Sequence, residues 1–252
     1  MNLFHAVILS IVEGITEFLP VSSTAHLFLV SNFLGLSQSD FVKTFEISIQ
    51  SGAILAAVIF YRKQIFTRRD LVLKAIAGFI PSAFIGLVFY KFIKQVLIGN
   101  LWITLVAMFT GGLVLLFIKQ KKANSSVISY RMAAIIGLFQ SLAVIPGVSR
   151  SGAAIVGGLV LGLSQSSSTE FSFLLAIPTL FAATSLDLFK SASQLTQANW
   201  PLLFVGFIGS ALTAILAIKL FTNFVSKHSL RLFGVYRIVL TLDFLIFQFI
   251  QG

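Results

Sequence analysis

The chain has 252 residues, 57% of them hydrophobic and only 10% charged, with a mean hydropathy of +0.99. Soluble domains carry about 25% charged residues, so most of this surface faces lipid, and the lack of short alternating segments speaks against a β-barrel. The net charge of +10 comes from basic residues scattered through short loops, which argues against a nucleic-acid partner, and without cysteine there is no disulfide, thiol nucleophile or thiolate metal site.

The first element, residues 1–34, is apolar but broken at Pro20-Val-Ser-Ser-Thr. It lacks a basic leader and holds Glu13 and Glu17, so it does not read as a cleaved signal peptide. Three unbroken apolar segments follow, over 44–61, 70–93 and 99–118. A second broken region covers 131–163, interrupted at Pro146-Gly-Val-Ser-Arg-Ser, and three more segments follow over 168–190, 200–222 and 231–250. Each unbroken segment reaches about 27–36 Å as a helix, enough for a ~30 Å hydrocarbon core. Each broken region instead leaves two arms of about 15 residues, or about 23 Å, too short to cross. The expected fold is an all-α polytopic membrane protein, a single integral membrane domain with six transmembrane helices plus two re-entrant helical hairpins.

Loop charges set the orientation. Arg62, Lys63, Arg68, Arg69, Lys119, Lys121, Lys122, Arg131, Lys227 and Arg231 lie on one side, against Lys43, Lys91, Lys94 and Lys190 on the other. The richer side is cytoplasmic by the positive-inside rule, so the first hairpin enters from outside and the second from inside. The halves also repeat. "LGLSQS" occurs at Leu34–Ser39 and at Leu161–Ser166, an offset of 127 that also aligns Glu13 with Gln140, Val21 with Val148 and Ser22 with Ser149. Repeat one runs over about 1–122 and repeat two over about 128–252; one hairpin plus three spans per half gives an inverted-topology repeat.

Irregular backbone at membrane depth is tolerated only where protein or a water-filled cavity surrounds it. Two tips entering from opposite faces bring Glu13, Glu17, Ser22, Ser23, Thr24 and His26 toward Gly147, Ser149, Arg150 and Ser151. Ionisable residues at such depth point to function. Glu13 and Glu17 share a helix face, and two close carboxylates in a low dielectric need a shared proton or a cation such as Mg2+. The planar fork of Arg150 suits phosphate. His26, three residues after Ser23, is within reach of it as a general base or acid. Glu46 and Gln50 share a face near the outer end of the first span and are candidates for the pocket wall. Asp187 belongs at the outer interface. Arg237 and Asp243 have no evident partner in the last span and are assigned to packing elsewhere in the bundle.

"EGITEFLPVSSTAH" and "PGVSRSG" resemble the two signature motifs of the undecaprenyl-diphosphate phosphatase family, the bacitracin-resistance proteins. The family's Glu/Gln-x-x-x-Glu motif is matched by Glu13 and Glu17, followed by Ser22, Ser23 and His26. Its Pro-Gly-x-Ser-Arg-Ser-x-x-Thr motif is matched from Pro146 through Ser151, but Ala154 stands where the family has threonine. The resemblance covers essentially the whole chain. It implies hydrolysis of undecaprenyl diphosphate to undecaprenyl phosphate in the bacterial inner (plasma) membrane, with a divalent metal, Mg2+ or Ca2+, and a site opening to the outer (periplasmic) side. Glu13 and Glu17 are then metal ligands or acid/base groups, Ser23 a nucleophile or phosphate contact, His26 a proton shuttle and Arg150 the stabiliser of phosphoryl charge. The partners implied are the polyprenyl diphosphate and membrane lipid, and the sequence admits a homodimer. The rival class is an inverted-repeat transporter or lipid flippase, which must bind charge but does not need an acid, a base and a nucleophile together.

Overall fold

The structure, a computed structural model, describes residues 1–37, 39–97, 100–118, 127–191 and 199–251. Gln38 of the repeated hexapeptide and Lys119, Lys121 and Lys122 of the basic loop lie outside the described residues, as does the Lys94 side chain. Twelve α-helices form, and no strand occurs among the described residues. They are α1 (Leu3–Thr16), α2 (Ser23–Phe33), α3 (Asp40–Phe60), α4 (Arg62–Thr67), α5 (Arg69–Val88) and α6 (Tyr90–Phe92). After a π-helical turn, Ile93–Leu97, come α7 (Leu101–Phe117), α8 (Tyr130–Ser141), α9 (Arg150–Val160), α10 (Gln165–Ser191), α11 (Trp200–Val225) and α12 (Arg231–Gln251).

Local chemistry starts these helices where polar residues interrupt the apolar runs. Asn100 caps α7 by accepting from Ile103 N, and Ser129 caps α8 by accepting from Met132 N. Such caps satisfy donors that the helix itself leaves free. Five helices are long and apolar enough to cross a membrane: α3, α5, α10, α11 and α12. At 20–27 residues they reach about 30–40 Å. The sixth expected span corresponds to α7, which counts as one when joined to Tyr90–Leu97 across a 103° bend. Their outer faces carry what lipid requires: Leu212, Leu216 and Leu220 recur every fourth residue on α11 at 57–65% exposure.

The four arms of the broken regions are short. α1, α2, α8 and α9 have 14, 11, 12 and 11 residues, about 17–21 Å each. They pack inside the bundle. α1 and α3 lie on α11, α8 and α10 lie on α5, and α7 lies on α12. Small residues allow the close crossings: a Cβ at Gly137 would meet Gly78 O at 1.9 Å, and one at Gly234 would meet Gly112 O at 2.7 Å. The core between them is aromatic, with Phe18 of the first broken region fully buried and edge-on to Phe173 of α10 at 5.0 Å. That contact ties the first broken region to α10.

Candidate active site

Each tip is shaped by a residue in unusual backbone. In the first, α1 stops at Glu17, whose N–H still donates to Glu13 O (2.9 Å), and residues 17–21 turn back. Ser22 then adopts φ +72°, the left-handed region, where it is the sole non-glycine among the described residues. Such backbone costs about 1–3 kcal/mol and persists only where surroundings enforce it. Its hydroxyl is buried and has no hydrogen-bond partner among the described residues. In the second tip, Gly147 turns the chain at φ +93° against α7, where a Cβ would lie 2.2 Å from Thr104 O. Only glycine meets both demands. Ser149 then caps α9 by accepting from Gly152 N (3.1 Å).

The two tips meet at Glu17. One carboxylate oxygen accepts from Arg150 Nη2 (3.0 Å) and Nε (3.3 Å), and the other accepts from Ser23 Oγ (2.5 Å). Arg150 also donates to the carbonyls of Glu17 (3.4 Å) and Ser172 (3.3 Å), and its guanidinium lies 5.6 Å from the centre of the Phe18 ring. The Arg150 and Glu17 side chains are 9% and 4% exposed. A buried ion pair of this kind draws its net gain from complete hydrogen bonding, and losing one partner leaves an uncompensated charge costing about 3–5 kcal/mol.

The serines of the second tip lock it onto the first. Ser151 Oγ donates to Leu19 O (2.8 Å), Ser149 Oγ donates to the same carbonyl (3.3 Å), and the two hydroxyls are 3.0 Å apart. Glu13, four residues before Glu17, is wholly buried, and no hydrogen-bond donor reaches either of its oxygens among the described residues. Glu46 accepts from Ser31 Oγ of α2 (2.6 Å), and Gln50 is partly buried one turn further along α3. Thr24, by contrast, is exposed. No cluster of three or more His, Cys, Asp or Glu side chains that could hold a metal ion gathers among the described residues.

His26 is close to this centre but turned from Ser23. A carbonyl can only accept, so Nδ1–H donates to Ser22 O (2.8 Å), which leaves Nε2 of the neutral ring as an acceptor. The Tyr236 hydroxyl sits 2.7 Å from Nε2, with the two rings stacked at 12°. The partner of the Ser23 hydroxyl is therefore Glu17 and not His26. Ala154, standing for the family's threonine, is fully buried in the apolar core one turn beyond Arg150.

Tyr236 and Arg237 are the contributors that sequence reasoning missed. Arg237 does not join a packing pair elsewhere in the bundle: it donates to Pro20 O (3.1 Å), Gly147 O (2.8 Å), Ala107 O (3.1 Å) and Met108 O (3.1 Å). The available signal was a charge inside an apolar span; nothing in a residue pattern identifies main-chain carbonyls as its acceptors.

Comparison with known proteins agrees with the motif-bearing elements. Residues 6–242 match the family described as bacitracin resistance protein BacA. The chain is 47% identical to the undecaprenyl-diphosphatase of Aquifex aeolicus over 98% of its own length and 99% of the relative's. It is 48% identical to that of Persephonella marina, with 98% and 99% covered, and 43% identical to that of Thermus thermophilus, with 95% of both covered. The chain belongs to the bacitracin resistance protein BacA family.

Proposed function

We propose that this protein hydrolyses undecaprenyl diphosphate to undecaprenyl phosphate and inorganic phosphate, in the inner membrane of a bacterium. The observation that carries the reading is the Glu17 carboxylate, held on one oxygen by Arg150 of the opposite tip and on the other by Ser23. The names of the relatives point the same way.

The repeat and the hairpins belong to this proposal. Exchanging α1 with α8, α2 with α9, α3 with α10 and α5 with α11 maps α1–α11 onto α5–α8, α3–α11 onto α5–α10 and α1–α2 onto α8–α9, which supports an inverted repeat, although the α9–α10 contact has no α2–α3 counterpart of similar extent among the described residues. Arms of 11–14 residues support tips that stop within the membrane, and the loop charges support a site open to the outer face. Beside the second tip, an open apolar groove of about 410 Å³ lined by Trp102, Ile103, Val106, Ile145 and Val148 offers a place for the isoprenoid tail.

In the chemical step, Ser23 Oγ attacks the terminal phosphorus and its proton passes to Glu17 along the 2.5 Å contact. The bond to the bridging oxygen breaks, and undecaprenyl phosphate leaves. Protonating Glu17 removes the charge that Arg150 was pairing, so the guanidinium turns to the transferring phosphoryl. Water then attacks the phosphoserine, giving its proton to His26 Nε2 once Tyr236 has released it. The P–Oγ bond breaks, Ser23 recovers its proton from Glu17, and His26 passes its proton to the departing phosphate, which restores the neutral ring. The unpaired hydroxyl of Ser22 is available to a phosphate oxygen, Ser149 and Ser151 hold the tip in place, and Glu46 and Gln50 flank the entrance.

A divalent cation, Mg2+ or Ca2+, fits these residues. Glu13 offers two buried oxygens without donors, and Glu17 keeps one acceptor position beyond its three donors. Glu13 and Glu17 would hold it together with substrate oxygens, and when bound it supplies Lewis-acid neutralisation of the diphosphate.

The test is release of phosphate from undecaprenyl diphosphate by purified protein in detergent with Mg2+ or Ca2+. Wild type should turn over, and Ser23→Ala should lower kcat by roughly 10²–10⁴-fold. Normal turnover in Ser23→Ala would remove the phosphoserine step. No release by wild type would overturn the reading and favour a carrier.

A further inference from the structure

Arg237 has no place in the reaction just described, yet it is among the most deeply buried charged side chains of the molecule, 2% exposed. Its four acceptors belong to three separate pieces of chain. Pro20 O is in the first tip, Gly147 O is in the second, and Ala107 O and Met108 O lie on α7. These acceptors take four of the five N–H bonds of a guanidinium, so both tips are tied to α7 through one planar group. The fit is built from the α7 side as well: a Cβ at Gly111 would lie 2.3 Å from Arg237 Nη2, so a glycine leaves the guanidinium its room. The neighbouring Tyr236 meets His26 from the same turn of α12.

We propose that Arg237 is a positioning residue for the phosphatase reaction, setting the spacing of the two hairpin tips and thereby the alignment of Ser23 and Glu17 with Arg150. The inference rests on the phosphatase reading above. Pro20 lies two residues before the strained Ser22 and three before Ser23; Gly147 lies three before Arg150. Each tip has few regular hydrogen bonds of its own to resist sliding. A shift of about 1 Å between reacting groups can cost about 100-fold in rate without weakening attachment of the headgroup or tail.

Two variants test this from opposite sides. Arg237→Lys keeps the charge but offers a compact ammonium in place of the fork, which cannot span all four carbonyls. Gly111→Ala leaves Arg237 intact and displaces its guanidinium, while alanine favours the helix. Both should lower kcat at least about 10-fold with KM within about threefold, in protein that stays monodisperse and keeps its unfolding temperature within a few degrees. Val239→Ala on the lipid-facing side of α12 should leave kcat unchanged.

A second readout does not need turnover. The chain contains no cysteine, and a Cβ at Gly152 would lie 3.3 Å from Pro20 Cβ, so a Pro20→Cys, Gly152→Cys pair reports the spacing of the tips by disulfide formation. Adding Arg237→Lys should slow that cross-link at least about fivefold. Wild-type kcat in folded Gly111→Ala or Arg237→Lys, or an unchanged cross-linking rate, would overturn the proposal. If Arg237→Lys fails to fold, Gly111→Ala decides. If wild type releases no phosphate, the phosphatase reading fails by itself, and the cross-link still reports whether Arg237 sets the spacing.

Discussion

The two broken regions have the same design and opposite chemistry. Each is a pair of short helices with an irregular tip, and each tip turns on one residue at positive φ, Ser22 in the first and Gly147 in the second. The first presents carboxylates and hydroxyls, and the second presents a guanidinium. The difference is clearest at the aligned positions Glu13 and Gln140. Glu13 is buried, with no donor to either oxygen among the described residues. Gln140 is buried too, but its amide donates to Ser82 Oγ (3.1 Å) and Thr179 Oγ1 (2.9 Å). A neutral side chain anchored by hydroxyls is a packing element; an unpaired carboxylate beside a second one is a place for a cation or a proton. In the proposed reading a repeated scaffold carries different charges in its two halves, so that one half handles protons and the other holds phosphate.

Breaking the charge pairing between the halves should have the largest effect. Arg150→Ala removes the fork and strands Glu17, so kcat/KM should fall at least about 10³-fold, in line with the loss of an arginine that stabilises phosphoryl charge. Thermal unfolding in detergent should drop as well, because the buried partner is left unpaired. Activity within tenfold of wild type would mean that the second hairpin is scaffold only.

Making Glu13 resemble Gln140 sharpens the same contrast. Glu13→Gln should raise the Mg2+ or Ca2+ concentration for half-maximal activity at least about 10-fold, since the proposed cation site loses one of its two carboxylates. A metal titration that overlays wild type would remove Glu13 from the cation site. The smallest effect is expected at Tyr236. Tyr236→Phe deletes one hydrogen bond to His26 Nε2 and keeps the stacked ring, so kcat should change about three- to tenfold, the scale of a single hydrogen bond. A change beyond 100-fold would make Tyr236 a participant in the chemistry.

Much of this was legible in the sequence because membrane depth makes polarity informative. A carboxylate pair and an arginine in opposite broken segments had few places to go except toward each other, and Glu17 and Arg150 meet across 133 residues. Fine direction was less legible. His26 lies one helical turn from Ser23 in sequence, but Ser23 opens α2 and its hydroxyl turns back to Glu17 across the bend at Ser22. Sequence spacing describes neighbours within a helix and not across its irregular start. Arg237 was illegible for a related reason. Its partners are carbonyls exposed by irregular backbone, which every residue carries and no residue type announces. The short arms were readable from Pro20 and Pro146, because broken apolar runs cannot reach both interfaces.

The central claim is that the two tips form one catalytic unit, and a double-mutant cycle between them tests it most directly. Glu17→Asp and Arg150→Lys retain charge and leave measurable turnover, so kcat/KM for phosphate release from undecaprenyl diphosphate can be compared for wild type, each single variant and the pair. Groups acting as a unit are strongly non-additive. The double variant should lie within about threefold of the worse single variant. A loss equal to the product of the two single losses would contradict the account, because it would mean that Glu17 and Arg150 act independently.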